Sequence, residues 1–316
     1  MSNQRAVLVT GTSSGLGEAT ALSLARAGFV VYAGVRSQQS AAHIAAGHPA
    51  IRPVILDVTV QESIVDAVRR VREETGGAGL HGLVNNAGIC VPAPLECVPL
   101  DELRAELEVN LIGTIAVTQQ FLPLLRMRPA VAPAPGPVGR IVNISSGIGR
   151  VAAPFLGAYA ASQFAKEGVS DALRRELAPL SVSVSVVEPG AIMTPIWSKV
   201  ASTASRIVEA APEEVAAQYR SRFDGFIALN DKRARASKTS PDAVARVIGH
   251  AMTAKRPRTR YRVGPDSWGA AMAARLLPDR ALDAVIRGQF PAGKPAAPPH
   301  RDTDDVPGAQ RQGTAR

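Results

Sequence analysis

The chain has 316 residues, which sets an expectation of about two domains, or of one α/β domain of about 250 residues with appendages. With 46% apolar and 20% charged residues it can bury a sizeable core and is not a wholly disordered protein. The formal charge is +9, yet residues 251–316 alone hold 12 basic and 6 acidic residues, so most of the excess reads as a basic tail rather than as a nucleic-acid-binding body. Cys90 and Cys97 are the only cysteines, and their spacing fits no CxxC metal or redox pattern, so a reducing, cytoplasmic compartment is expected. The one early apolar run, residues 6–10, is too short for a secretory signal, and no apolar stretch of about 18 residues occurs, which argues against secretion and membrane spanning.

In chain order, strands are expected at 6–10, 30–34, 54–56, 83–85, 140–144 and 182–187. Each is short and apolar, as parallel strands buried on both faces should be. Helical patterns lie between them at 16–27, 61–74, 101–126 and 158–177. Such βαβ repetition predicts an α/β fold, a doubly wound, Rossmann-type parallel sheet with helices on both faces. Residues 127–139 (MRPAVAPAPGPVG) are too rich in Pro and Gly for helix or strand and read as a surface insertion. Residues 192–238 read as a loop followed by helices, 260–264 as a last short strand, and the segment past about 290 as having too little to bury. The expected organisation is a dinucleotide-binding and catalytic domain over 1–265 with a substrate lid at about 191–238, a helical extension over 266–290, and a disordered tail over 291–316.

The first strand runs directly into Thr10-Gly11-Thr12-Ser13-Ser14-Gly15-Leu16-Gly17 and then a helix. Glycines there allow a tight turn and close backbone approach to a pyrophosphate, which a helix N-terminus attracts through its free N–H groups and dipole. The spacing is GxxxGxG. With Asn85-Asn86-Ala87-Gly88, Tyr159 in YAASQFAKEG, and Pro189-Gly190 with Thr194, the chain resembles the short-chain dehydrogenase/reductase family over about residues 5–265. Its texture (VYAGVR, VEPGAIMTPIWSK, RPRTRYRVGPD, RLLPDR) is similar to the hydroxysteroid and retinol dehydrogenase-like branch.

The resemblance implies an oxidoreductase that interconverts an alcohol and a ketone or aldehyde with a nicotinamide cofactor. In this family an acid at the end of the second strand goes with NAD, and a neutral residue followed by a base goes with NADP. Here the pair is Val35-Arg36, so NADP(H) is favoured over NAD(H), a guanidinium being able to form charge-assisted bonds to a 2′-phosphate. A solvent-exposed arginine without a ligand is the alternative. Asp57 and Val58 match the adenine-contacting position, although Asp57 also suits a turn cap. The implied cofactor-binding set is Gly11, Ser13, Ser14, Gly15, Leu16, Gly17, Arg36, Asp57, Val58, Asn86, Ala87, Gly88, Tyr159, Gln163, Pro189, Gly190, Ile192 and Thr194.

The implied catalytic set is Asn110, Ser146, Tyr159 and Gln163. A hydroxyl pair would hold the substrate oxygen, and a tyrosine of lowered pKa would move the proton as hydride passes to or from nicotinamide. A tyrosine near pKa 10 needs help to do this at neutral pH. The family places a lysine four residues after the tyrosine, but here that residue is Gln163, an amide without charge. Lys166, seven residues after Tyr159, lies about 20° from its face and roughly 10 Å along the helix. It either reaches back toward the phenol or is an ordinary surface or interface lysine.

His43, His48, His81, His250 and His300 show no metal-ligand spacing and no GxSxG elbow occurs, so no metal is expected. The basic run 255–262 reads as a solvated edge, with phosphate-polymer or lipid-headgroup binding the less favoured alternative. Ile192, Met193, Ile196, Trp197, Phe223, Phe226 and Ile227 suggest either an apolar pocket for a lipophilic substrate or simple packing of the lid. The family likeness implies a homo-dimer or homo-tetramer. No nucleic-acid partner is expected, and peripheral membrane contact is disfavoured. The rival function is a dinucleotide-binding sensor or regulatory protein in which Gln163 marks lost turnover.

Overall fold

Short β-branched runs leave their backbone groups unpaired unless they lie side by side, and here seven of them form one parallel sheet. The computed structural model describes residues 5–127, 136–192 and 196–289. The strands are β1 (Ala6–Val9), β2 (Val30–Val35), β3 (Ile51–Ile55), β4 (Gly82–Asn85), β5 (Gly139–Ile144), β6 (Val182–Pro189) and β7 (Arg260–Val263). Their order is β3-β2-β1-β4-β5-β6-β7, with every neighbour pair parallel. The chain winds outward from β1 to β3, then returns beside β1 and winds the other way. That reversal opens a crevice at the C-terminal ends of β1 and β4, where open α/β sheets bind their ligands.

The helices are α1 (Gly15–Arg26), α2 (Gln38–Ala46), α3 (Gln61–Glu74), α4 (Leu100–Leu107), α5 (Gly113–Arg126), α6 (Gly157–Leu177), α7 (Ile196–Ala210), α8 (Glu213–Ala236), α9 (Pro241–Thr253), α10 (Pro265–Leu276) and α11 (Asp279–Gln289). Alternate residues of β1 feed two core layers, as the pleat requires. Val7 and Val9 join Leu24, Phe29, Ile248 and Met252 on the face covered by α1 and α9. Ala6 and Leu8 join Ile64, Val71, Phe121 and Leu124 on the face covered by α3 and α5.

Three local differences from the sequence reading have physical causes. β3 begins at Ile51 and carries Pro53, which a sheet tolerates on an edge strand. Helix α2, absent from the sequence reading, buries only Ile44 and so shows no apolar period; Ser37 caps it by accepting from Ser40 N. The single helix expected over 101–126 is interrupted by a π turn at Glu108–Ile112. Most of the 127–139 insertion, the 291–316 tail, Met193 and Thr194 lie outside the described residues.

Candidate active site

At the end of β1 the Gly11–Gly17 turn is latched to the loop after β4. Thr10 Oγ1 accepts from the backbone N–H groups of Asn86 and Ala87, both at 3.0 Å. Asn86 Nδ2 donates back to the carbonyls of Thr10 and Gly11 at 2.9 and 3.1 Å. Only glycine fits at two of these places. Gly11 has φ +68° and a Cβ there would sit 2.8 Å from Ala87 Cα, while one at Gly17 would sit 2.1 Å from the Gly11 carbonyl oxygen. Ser13 and Ser14 are exposed, and Ser14 precedes α1 in an extended conformation without capping it through its side chain. The first-turn N–H groups of α1 therefore face the crevice, a fit for a pyrophosphate.

Arg36 is exposed just past the buried Val35, so no carboxylate stands where β2 ends. Asp57 Oδ1 accepts from Thr59 N and Thr59 Oγ1 at 2.9 and 2.7 Å, making a turn cap, and Val58 is buried against Gly113.

The π turn carries Asn110 inward. Its Oδ1 accepts from Ile89 N at 2.9 Å, and its Nδ2 donates to Ile89 O at 2.9 Å and to Ser162 Oγ at 3.0 Å. Asn110 thus clamps the loop after Gly88 onto α6. Glu106, one turn earlier and fully buried, approaches Asn110 Nδ2 at 3.4 Å and accepts from Val91 N at 3.3 Å. Burial without a cation pushes its pKa up to about 8, with the Val91 N–H opposing the rise.

Along α6, Tyr159, Gln163, Lys166 and Ser170 follow helical spacing along one stripe. Tyr159 is hydrogen-bonded to Ser146, which lowers the phenol's pKa. Desolvation, and then the nearby Cys90 and Glu106, outweigh this and leave it well above the ordinary tyrosine value. Gln163 is buried, with Nε2 donating to Ser162 Oγ at 3.1 Å and Oε1 without a hydrogen-bond partner. Lys166 is not a surface lysine: it is 2% exposed, and its Nζ donates to Ile144 O at 3.1 Å. Beyond it, Ser170 Oγ accepts from Asn143 Nδ2, and Asn143 Oδ1 accepts from Asn85 Nδ2. This buried polar row escaped the sequence reading, although Asn and Ser inside apolar strands and helices were its visible sign.

Tyr159 packs in an apolar cluster with Leu156, Phe155, Phe223 and Phe226, with Cys90 and Ile148 beside it. Phe155 stands edge-on to Phe223 and Phe226 with ring centroids 5.3 and 5.4 Å apart. Ile192, read with this pocket, instead packs into the sheet core with Val187 and Val263. The side chains of Ile196 and Trp197 lie outside the described residues. The Pro189-Gly190 loop is held by Asp266 of α10, which accepts from Ala191 N and which no sequence motif had singled out. The reading of 255–262 as a solvated edge is corrected in part. Arg260 and Arg262 turn inward from β7 to Glu167, Asp171 and Glu188, with N···O distances of 3.0 to 3.3 Å.

Residues 5–205 match the family model described as short chain dehydrogenase. The 3-amino-tetrahydro-pyrrolizinone reductase of Xenorhabdus hominickii is 39% identical over 288 residues, covering 91% of this chain and 96% of that protein. The 17-beta-hydroxysteroid dehydrogenase type 6 of Bos taurus is 37% identical, covering 92% and 89%. A crystal structure of a short chain dehydrogenase from Burkholderia cenocepacia J2315 in complex with NADP superposes with a TM-score of 0.65 at 25% identity, covering 92% and 98%. With a parallel sheet wound about a glycine turn, and relatives matched over nearly their whole length, the chain belongs to the short-chain dehydrogenase family and is an oxidoreductase of its hydroxysteroid and retinol dehydrogenase-like branch.

Proposed function

We propose that the protein interconverts a lipophilic alcohol and its ketone or aldehyde with NADP(H). The observation that carries this is the Ser146–Tyr159 pair, hydrogen-bonded beyond the end of β5 and packed against the apolar cluster of Leu156, Phe155, Phe223 and Phe226. Gly11, Gly15, Gly17 and the N-terminus of α1 would hold the pyrophosphate, Arg36 would take the 2′-phosphate, and the loops at Asn86–Gly88 and Pro189–Ile192 would hold the nicotinamide half. Bound NADPH supplies the hydride. Ser146 and Tyr159 hold the carbonyl oxygen by hydrogen bonds, and Tyr159 gives it the proton. Asn110 acts as a clamp, keeping the loop at Ile89 against α6. Helices α7 and α8 serve as the lid and exclude water from the pocket.

The test is consumption of NADPH by the purified protein across a panel of hydrophobic ketones and aldehydes. Tyr159→Phe is expected to lower kcat by about 10²- to 10⁴-fold with NADPH binding retained. Gln163, with its unpartnered oxygen and no charge, favours a second reading, a dinucleotide sensor. Tight NADPH binding without turnover of any carbonyl would establish that reading in place of the first.

The proposal extends to a cytoplasmic homo-dimer or homo-tetramer. The free thiols of Cys90 and Cys97 suit a reducing compartment, and an apolar groove of about 200 Å³ between α5 and α6, lined by Ile115, Val169 and Leu173, suits a second copy. A light-scattering mass of one chain would overturn the oligomer.

A further inference from the structure

A cavity of about 440 Å³ lies between α6, β7 and α10, and its lining includes Arg150, Arg260, Arg262, Arg275, Glu167 and Asp171. Arg260 is satisfied there, its Nε donating to Glu167 Oε2 at 3.0 Å and its guanidinium meeting Asp171 at 3.0 Å. The other three arginines make no side-chain hydrogen bond among the described residues. Arg150 and Arg262 approach the fully buried Glu188 at 3.5 and 3.1 Å, but as ion pairs without hydrogen-bond geometry, and Arg262 Nε is buried without an acceptor. Arg275, exposed on α10, has no ion pair either among the described residues. A guanidinium presents a planar fork of N–H donors and accepts nothing. With Arg174, which pairs with Asp171, the cluster holds five arginines against the carboxylates of Glu167, Asp171 and Glu188. Spare positive charge and spare donors therefore line the same cavity.

We propose that this cavity is an anion site that takes a phosphate group, separate from the nucleotide crevice at the end of β1. The arrangement of the donors selects the anion. A carboxylate offers two oxygens in one plane and is met by a single guanidinium fork, whereas a tetrahedral phosphate accepts from donors that arrive from several directions. Here they arrive from three elements: Arg150 from the turn after β5, Arg262 from β7 and Arg275 from α10. Exposed apolar side chains flank them. Phe164 lines the cavity, and the Arg262 guanidinium lies over the exposed Trp268 ring, 5.1 Å from its centroid, so the site suits a phosphate that carries an apolar group. A soluble phosphate monoester and the headgroup of an anionic lipid both present that chemistry. None of these arginines takes part in the reaction, so phosphate binding and turnover are separable.

The test uses the full chain with excess NADP⁺, which fills the nucleotide crevice, at about 0.15 M salt to screen non-specific attraction. Inorganic phosphate and hexyl phosphate are titrated by calorimetry. Wild type should bind inorganic phosphate at one site, and Arg275→Ala should weaken that binding by about tenfold. Arg275→Glu should abolish it, while Arg275→Lys, which keeps the charge without the fork, should fall between wild type and Arg275→Ala. The melting temperature in phosphate-free buffer should be unchanged in all three, because Arg275 is exposed and unpaired. Tighter binding of hexyl phosphate than of inorganic phosphate, reduced in Phe164→Ala, identifies a soluble monoester. Sedimentation with phosphatidylglycerol vesicles but not with phosphatidylcholine vesicles, lost in Arg275→Glu, identifies a lipid headgroup. Equal phosphate affinity in wild type and Arg275→Glu would overturn the proposal, as would a wild type that binds neither phosphate. Failure to bind NADP⁺ would defeat the cofactor reading alone, since the dependence on Arg275 still decides this site.

Discussion

Residue chemistry at this site is set by which charges the fold admits. Arg36 stands exposed at the end of β2 between Val35 and Ser37, and charge-assisted hydrogen bonds of about 1.5–3 kcal/mol give an expected preference for NADPH over NADH of about ten- to a hundredfold. Titration of both cofactors into wild type and Arg36→Ala checks this, since the variant should bind the two alike. Glu106 is neutral in the folded chain up to about pH 8, against 4.5 for an ordinary carboxyl. Between those values the folded state holds the extra proton, so stability falls as pH rises, by up to about 1.4 kcal/mol per unit. Denaturant unfolding from pH 5 to 8 should show this slope in wild type and a flatter one in Glu106→Gln. Above about pH 8 Glu106 gains its charge. That change opposes a phenolate at Tyr159, so reductive kcat should decline there, and less steeply in Glu106→Gln.

Among the elements, the π turn at Glu108–Ile112 separates this chain most clearly from its sequence pattern. Residues 101–126 present a continuous helical pattern, because one extra residue in a turn leaves no mark on hydrophobic spacing. The widened turn is nevertheless where Asn110 reaches both backbone groups of Ile89. Asn110→Ala would leave the part-buried N–H and C=O of Ile89 without this partner, at up to about 1–3 kcal/mol each. The expected result is a loss of about 2–4 kcal/mol in urea unfolding, together with weaker NADPH binding as the loop after Gly88 loosens. Helix α6 works differently: a single stripe sets Tyr159 beside Ser146, buries Gln163 and carries Lys166 to the end of β5.

Across the whole molecule, β7 and α6 are joined by an ion cluster in which Arg260, 16% exposed at its side chain, meets Glu167, Asp171 and Glu188. Removing Arg260 weakens this compensation, although Glu188 keeps Arg150 and Arg262 and Asp171 keeps Arg174, so Arg260→Met should destabilise by up to about 3 kcal/mol, measured by urea unfolding. The sequence by itself determined the sheet, because apolar β-branched runs alternating with helical patterns pack in few ways, and it determined the crevice at the end of β1, because Gly11 and Gly17 occupy places in the turn where a side chain would clash. It also marked Ser146, Tyr159 and Gln163, whose spacing is local to one strand end and one helix. Tertiary structure alone decided that Lys166 is buried, that Glu106 stays protonated at neutral pH, that Asp266 holds the Pro189-Gly190 loop and that Ile192 belongs to the core and not to the pocket. The physical reason is that burial, and with it the charge state of a lysine or a carboxyl, depends on groups distant in the chain that only the closed sheet and its helices bring together.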